Sequence, residues 1–409
     1  MKVLYISYDG MTDSLGRSQV IPYLEGLAGR GHNIHVISCE KKYLPQKERS
    51  IVERLFAQKN IQWYPLSFSE YPRGISKLFD VYRIKAMAGS LHKREDFDII
   101  HCRSYIAALA GLELKKKQGV RFVFDMRGFW ADERLEGKIW NDKNPAHRLA
   151  YRYFKKKEKL FFENADAVVS LTQSGKDVIE TLFGKEVKNK TNVIPCCVDT
   201  EMFSRENITS DFILQLKSKL NIGEKDFVLS YLGSLGTWYM IDEMLVFFKK
   251  LLIRYPQSKF LFISGDDPNY IKDKARKLQI EEGRIIIAKA LREEVPAYLM
   301  LSDLSLFFIK PVFSKKASSP TKQAEIMSMG IPAICNSGVG DTDLIFAGNE
   351  AGLVLKDFSE AEMERVISRL DEILKLDPIQ IRRKAINLFS LDEGVARYDE
   401  IYKAITSNK

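Results

Sequence analysis

Short apolar runs, rich in β-branched and aromatic residues, recur along the chain, and the stretches between them carry apolar positions at helical spacing. VLYISY (3–8) comes first, followed by a helix near Gln19–Arg30 that Gly31 closes, and then by IHVIS (34–38). FDIIH (97–101), RFVFDM (121–126) and AVVSLT (167–172) continue the alternation. Continuous apolar strands separated by amphipathic segments are the pattern of a parallel sheet covered on both faces. The second half repeats it, with DFVLSYLGS (226–234), KFLFISGDD (259–267), RIIIAKA (284–290), LSLFFI (304–309) and IPAICN (331–336). The proline and polar tail of NVIPCCVDTEMFSREN (192–207) mark a boundary between the halves. The pattern therefore predicts an α/β protein of two doubly wound domains, over 1–195 and 196–390. A last helix, about 391–409, lies beyond the second sheet and is expected to fold back on the first domain. Ligands of open α/β sheets bind outside the carboxyl ends of the strands, so two such domains facing each other would enclose a cleft.

Composition changes this picture in one respect. A chain of 409 residues with 45% hydrophobic and 29% charged residues has the length of two ordinary domains. The charge is uneven. Residues 1–200 hold 34 lysines and arginines against 24 acidic residues, whereas 201–409 hold 29 against 30, so the first half carries the whole excess of the net +9. The two halves are expected to meet different partners. The opening MKVLYISYDG reads as a strand rather than a signal peptide, and no stretch approaches the roughly 18 apolar residues of a membrane span. A cytoplasmic protein follows as the expectation, at most peripheral on the inner face of a membrane. Cys39, Cys102, Cys196, Cys197 and Cys335 form no C-x-x-C pair and sit mostly in apolar runs, which suggests buried free thiols. The five histidines show no H-E-x-x-H spacing, and no bound metal is expected.

The densest punctuation lies in SSPTKQAEIMSMGIPAICNSGVGD (318–341). Ser319 reads as an N-cap, Pro320 as the first helical residue, and Thr321 and Lys322 as the first turn, with Gly330 and Pro332 ending the helix. Such a helix start offers free N–H groups and a positive dipole end to phosphate oxygens. Lys322 would add charge and Thr321 a hydroxyl. Glu325 lies on the face of Lys322, where a carboxylate accepts hydrogen bonds from ribose hydroxyls. The Gly338–Gly340 loop lets backbone approach a ligand. Taken alone, the same residues also read as an ordinary cap, a solvated glutamate and a turn.

Several segments together resemble the GT-B-fold glycosyltransferases of family 4. SQVIPYLEGLAGRGHNIHVIS (18–38) looks like that family's first helix and second strand. NADAVVSLTQSGKDVI (164–179) resembles its last N-domain strand and following helix, and NVIPCCVDTEMF (192–203) its interdomain segment. VLSYLGSL (228–235) corresponds to the donor-domain phosphate loop, and PTKQAEIMSMGIPAICNSGVGD to the donor-site helix and strand. The resemblance covers nearly the whole chain in the right order. It implies two Rossmann-like domains, an acceptor in the first and a nucleotide sugar in the second, with sugar transfer under retention and no metal or other cofactor.

Carried onto this chain, the resemblance puts Glu325 on the ribose. The donor phosphates would meet Lys322, Gly233, Ser234 and Lys289, with Ser319 and Thr321 at the helix start. Gly16, Asp125 and Arg127 would face the acceptor, and Asp125, Arg127 and Lys322 are the candidates for catalysis. For Asp125 and Arg127 a core or salt-bridge role fits equally. The base would be read near AKALREEV (288–295). This sequence departs from the family at Ala317, where a second glutamate is common, and at Ser234 and Tyr239, where Arg and Lys are common. Arg127 stands where an acceptor-loop histidine is frequent.

Two segments remain. SGDDPN (264–269) holds paired aspartates but follows a strand, so it reads as loop chemistry rather than a metal site. AHRLAYRYFKKKEKLFFENA (146–165) mixes six Lys/Arg with five aromatics on one helix. With LKKKQG (114–119) it would suit anionic lipid headgroups or a lipid-diphosphate acceptor, or else be a solvated cationic helix with its aromatics in the core. Nothing resembles a nucleic-acid module. The function expected is transfer of a sugar to a glycan or lipid-linked acceptor in surface polysaccharide or lipopolysaccharide synthesis. The rivals are a sugar-nucleotide epimerase on the same fold and a non-catalytic sugar-nucleotide-binding protein. Gly233 and Gly236 do not make G-x-G-x-x-G, which speaks against a dehydrogenase.

Overall fold

The structure is a computed structural model that describes residues 1–41, 46–69 and 75–407. It divides into two compact units. The first comprises Met1–Pro195, Lys316–Ser318 and the chain from Leu391 on; the second comprises Cys196–Lys315 and Ser319–Ser390.

The first unit is built on a seven-stranded parallel sheet of order β3-β2-β1-β4-β5-β6-β7. Its strands are β1 (Lys2–Ser7), β2 (Asn33–Glu40), β3 (Gln62–Ser67), β4 (Ile99–Arg103), β5 (Arg121–Asp125), β6 (Ala167–Ser170) and β7 (Thr191–Val193). The central strands are apolar on both faces, and every residue of β4 and β6 is buried. β3 and β7 lie outside the runs that the sequence marks. Both are sheet edges, and β3 carries Pro65 and polar ends, so neither has the continuous apolar signature of a doubly covered strand.

The helix expected near Gln19–Arg30 is two, Ser14–Gln19 and Ile21–Gly29, broken at Val20 (φ −128°, ψ −60°). Pro22 explains the break: it lacks an N–H and its ring excludes the carbonyl one turn back, so a helix restarts with proline in its first turn. The C-terminal helix Leu391–Ser407 packs on Ile21–Gly29. Gly26 permits the approach, because a Cβ there would lie 2.6 Å from a Val395 methyl. Polar anchors fix the same helix: Asp399 Oδ1 lies 2.9 Å from His32 Nε2, and Tyr402 Oη lies 2.6 Å from His101 Nδ1.

The second unit is a six-stranded parallel sheet of order β10-β9-β8-β11-β12-β13. Its strands are β8 (Phe227–Leu232), β9 (Ser258–Ile263), β10 (Ile285–Ala288), β11 (Leu304–Phe307), β12 (Ala333–Asn336) and β13 (Gly352–Leu355). β13, again an edge, is the strand that the sequence pattern does not mark. One core fills the unit, with Phe247, Phe248, Phe260 and Leu251 fully buried between sheet and helices. All five cysteines are buried and outside any disulfide. In SGDDPN, Asp267 accepts the Asn269 N–H (3.0 Å) and caps helix Pro268–Lys277, while Asp266 accepts the Leu235 N–H (2.5 Å). The paired aspartates thus shape two loops.

Candidate functional site

In the second unit the strand order reverses between β8 and β11, the place where open α/β sheets take ligands. Segments of this unit meet at the carboxyl ends there: the loop 233–240 after β8, residues 310–315 and 319–322 after β11, and the loop 337–341 after β12. Helix Thr321–Ser328 begins one residue later than the capping pattern suggests. Pro320 occupies the cap position (φ −69°, ψ 114°), and no side chain caps the helix. The Ser319 hydroxyl instead accepts the Cys196 N–H at 3.1 Å, so its role as N-cap is corrected. The Gln323 N–H turns back to the Pro320 carbonyl (3.0 Å), so the first-turn donors that no side chain caps are those of Thr321 and Lys322.

Lys322 is 6% exposed. Its Nζ donates to Tyr231 Oη (2.9 Å) and lies 4.1 Å from the Tyr231 ring centre and 3.7 Å from that of Tyr239. Tyr231 Oη in turn donates to the Ser234 carbonyl (2.5 Å), so hydroxyl and ammonium tie the helix start to the loop. Gly233 has φ +118°, and a Cβ there would meet Lys322 Nζ at 3.0 Å, so the open backbone and the ammonium are neighbours. Burial drives the Lys322 pKa well below that of a solvated lysine, with the Glu325 carboxylate opposing. An ammonium so placed is short of counter-charge.

Glu325 is 5% exposed, on the same helix face. The sequence leaves its carboxylate open, whereas in the structure it accepts from Arg292 Nη1, whose guanidinium also stacks 4.7 Å from the Phe203 ring centre. Arg292 comes from the loop after β10, within the segment expected to read the base. Lys289, on the same loop, is exposed, and Ser234 and Thr321 line the loop and the helix start. Lys315 was not anticipated: it is 6% exposed and its Nζ lies 3.8 Å from the Trp238 ring centre.

In the first unit, Asp125 and Arg127 lie at the end of β5, beside Arg103 at the end of β4. Asp125 is 1% exposed. It accepts from Tyr398 Oη (3.0 Å), and His101 Nε2 and Arg127 Nη1 lie 3.6 and 3.9 Å from its oxygens. Burial works to raise its pKa, but Arg127, His101 and Arg103 outweigh burial and hold it below the usual carboxylate value. Burial also lowers the His101 pKa, with the Asp125 carboxylate opposing. Arg127 adopts φ +56°, a left-handed conformation that costs a non-glycine residue energy and is held by its surroundings.

Gly16 serves its own loop: a Cβ there would lie 2.1 Å from the Gly10 carbonyl oxygen. That loop is pinned by Glu40, a residue without a sequence signal. Its carboxylate accepts from the Met11 and Thr12 amides (2.8 and 3.1 Å) and from the Thr12 and Ser38 hydroxyls (both 2.5 Å).

Residues 20–202 match the family model of Glycosyltransferase Family 4, and residues 213–386 match that of Glycosyl transferases group 1. An uncharacterized glycosyltransferase of Methanocaldococcus jannaschii is 26% identical over 198 residues, 46% of this chain and 43% of that protein. The alpha-monoglucosyldiacylglycerol synthase of Streptococcus pneumoniae is 26% identical over 178 residues, 43% of this chain and 38% of that protein. The chain thus spans less than half the length of these curated relatives. Among solved structures, Anabaena HepE in complex with UDP-glucose is similar with a TM-score of 0.70 at 14% identity, over 99% of this chain and 100% of that one.

Proposed function

Because the chain belongs to the GT-B-fold glycosyltransferases, with a family 4 half followed by a group 1 half, we propose that it moves a sugar from a nucleoside diphosphate sugar to a lipid-linked or glycan acceptor, with retention, in surface polysaccharide synthesis. The observation that carries the donor side is the buried Lys322 ammonium beside Gly233, with Glu325 on the same face of an uncapped helix start. In the reaction the bond from the sugar C1 to the diphosphate oxygen breaks and a bond to the acceptor oxygen forms. The acceptor hydroxyl proton passes to the departing diphosphate. Lys322, the helix-start amides and the Gly233–Ser234 backbone stabilise the charge developing on that leaving group. Glu325 takes the ribose hydroxyls, which requires Arg292 to yield one carboxylate oxygen or to join the contact. Asp125, Arg127 and the Gly16 loop belong to the acceptor side in this reading.

A lipid-linked acceptor is favoured by the surface of the first unit. Helices Ile75–Glu95 and Pro145–Asn164 both pack on helix Ser104–Gln118. They expose Leu78 (71%), Tyr82 (68%), Phe79, Leu149 and Tyr153 to solvent. Arg148, Arg152, Lys156 and Lys159 are exposed beside the last two. Apolar anchors among cations suit an anionic membrane surface. Among the described residues no helix is long and apolar enough to cross a membrane. One relative is itself named for making a glucosylated diacylglycerol.

The test is a thermal-shift titration with UDP, GDP, ADP, CMP and NAD, without metal, on the wild type and Glu325→Ala. One nucleoside diphosphate should stabilise the wild type through mass action, and the variant should bind it at least about tenfold more weakly. Stabilisation by NAD alone, or equal binding by the variant, would refute the donor assignment. Slow hydrolysis of the matching nucleotide sugar without acceptor separates an enzyme from a sensor.

A further inference from the structure

The strand order of the first unit reverses between β1 and β4, so this sheet too has a place at its carboxyl ends where open α/β sheets take ligands. Arg103 closes β4 there, in register with Ser7 on β1 and Asp125 on β5. It is 4% exposed. Its Nε is sealed from solvent and has no hydrogen-bond partner among the described residues. The Asp9 carboxylate stands 3.5 Å from that nitrogen, but its side chain is 44% exposed, so water competes for it. Asp125, although adjacent, gives one oxygen to Tyr398 Oη (3.0 Å), and its other oxygen forms no hydrogen bond with Arg103. A guanidinium has five N–H groups to satisfy, and a charge buried without hydrogen bonds is costly. The cavity that Arg103 lines with Tyr5, His101 and Asp125 measures about 10 Å³, room for one water, which leaves most of those donors open.

The same residue stands at a helix start. Ser104 turns the chain from strand into helix at φ +67°, and helix Ser104–Gln118 runs for fifteen residues from that point. Arg103 occupies the cap position (φ −82°, ψ 114°), and no side chain caps the helix. A helix of this length carries a full positive dipole end and offers its first amides to an anion. Two independent sources of positive potential, a buried guanidinium and an uncapped helix start, thus meet at one residue.

The geometry points to an oxyanion site at the end of β4, formed by the Arg103 guanidinium and the start of helix Ser104–Gln118, that takes the phosphate of a lipid-linked acceptor. This rests on the acceptor role given to the first unit above and adds to it the chemical group that the unit grips. The guanidinium fork and the helix start offer donors from two directions. A carboxylate has two oxygens in one plane, whereas a terminal phosphate presents three, so the phosphate can answer both sets of donors. Arg103 is then a binding residue for the acceptor rather than a strut of the sheet. The half-solvated Asp9 yields its place to the entering anion, while Asp125 stays with Tyr398.

The probes are inorganic phosphate and hexyl phosphate, an ester of the kind a lipid carries, titrated into the full chain and followed by phosphorus NMR. The wild type should bind both, the ester at least as tightly as the free ion. Arg103→Met should weaken both by about tenfold or more, the scale of a lost charge-assisted contact. Its melting temperature should be unchanged or raised, because the substitution removes a buried charge and orphans no acceptor. Arg103→Lys keeps the charge without the fork and should bind roughly threefold or more below the wild type, and it carries the test should Arg103→Met not fold. Lys322→Met controls for an anion held by the second unit and should leave the Arg103-dependent binding in place. Phosphate binding that is absent, or that falls with Lys322→Met and not with Arg103→Met, overturns the proposal. Exclusion of hexyl phosphate by a site that binds the free ion overturns the acceptor assignment. A nucleoside diphosphate bound through Glu325, beside phosphate binding indifferent to Arg103, ends this inference alone. Arg103-dependent phosphate binding in a chain that takes no nucleoside diphosphate ends the donor reading alone.

Discussion

Lys322→Met should raise stability and destroy activity together, and the structure supplies both signs. The ammonium is buried, makes one hydrogen bond to Tyr231 Oη, and otherwise faces two rings. Methionine has similar length, and its sulfur packs well against aromatic edges. The substitution orphans nothing, because Tyr231 Oη still donates to the Ser234 carbonyl at 2.5 Å. Replacing buried charge by apolar volume is neutral or stabilising by about 1–4 kcal/mol. With one hydrogen bond lost, a gain of about 1–2 kcal/mol is expected, a rise of roughly 2–8 °C in the Tm of a domain of this size. Against that, a donor aimed at a leaving diphosphate is worth roughly 100- to 1000-fold in turnover.

The pH dependence provides a second check. The folded pKa of Lys322 is depressed, chiefly by burial, below the unfolded value of about 10.4. Below the folded pKa both states hold the proton, and the penalty for the buried charge is complete. Between the two values the unfolded chain binds more protons than the folded one, so stability rises with pH across that window. Above the unfolded value the penalty is gone. The difference in unfolding free energy between Lys322→Met and wild type should therefore shrink as pH rises towards 10. Urea unfolding from pH 6 to 10 and single-turnover transfer measure the two effects. A variant that loses stability and activity in parallel would make Lys322 a structural strut and refute the charge argument.

Two further outcomes probe the first unit. Glu40→Ala strips two buried amides of their acceptor at the Gly10–Thr12 loop and should cost about 3 kcal/mol by urea unfolding, whereas a change under about 0.5 kcal/mol would mean that the loop is held by other contacts. Arg148→Ala with Arg152→Ala should weaken co-sedimentation with vesicles containing phosphatidylglycerol by roughly 30-fold, at about 1 kcal/mol per cation. Wild-type binding that is equal on phosphatidylcholine vesicles would remove the electrostatic part of the membrane reading.

Place in the sheet separates most strands that the sequence marks from those it does not; the exception is β10, an edge that its isoleucine run declares. β1, β4, β5, β8, β9 and β11 run through the middle of their sheets, where both faces need apolar side chains and composition alone declares the strand. β3, β7 and β13 are edges, short or interrupted by proline, and owe their conformation to the one neighbour they pair with. The break at Val20 was foreshadowed by Pro22. Even so, the apolar spacing on both sides continues one helical stripe, and periodicity reads a stripe rather than its interruptions.

The site divides in the same way. Gly233, Lys322 and Glu325 were legible because each belongs to a local pattern: a strand end, a helix start, and a spacing of one helical turn. Their partners were not, because the contacts join residues 91 positions apart for Lys322 with Tyr231 and 33 apart for Glu325 with Arg292. Lys315 carries no signal in the sequence, and Tyr239 stands there only as a departure from the family's phosphate loop, beside Trp238. Only the pairing of Tyr239 with Ile309, which joins the loop after β8 to the segment after β11, turns the two rings into faces for cations. Asp125 gives the opposite lesson. Its place at a strand end suggested chemistry, yet a tyrosine from the far end of the chain occupies one of its oxygens at 3.0 Å. A carboxylate whose pKa is lowered by two arginines and a histidine is a poor base near pH 7, and its first task is to hold Tyr398 and Arg127 in place. Of the two, Arg127 is the one whose backbone is strained, and its guanidinium stands 3.9 Å from the carboxylate that holds it.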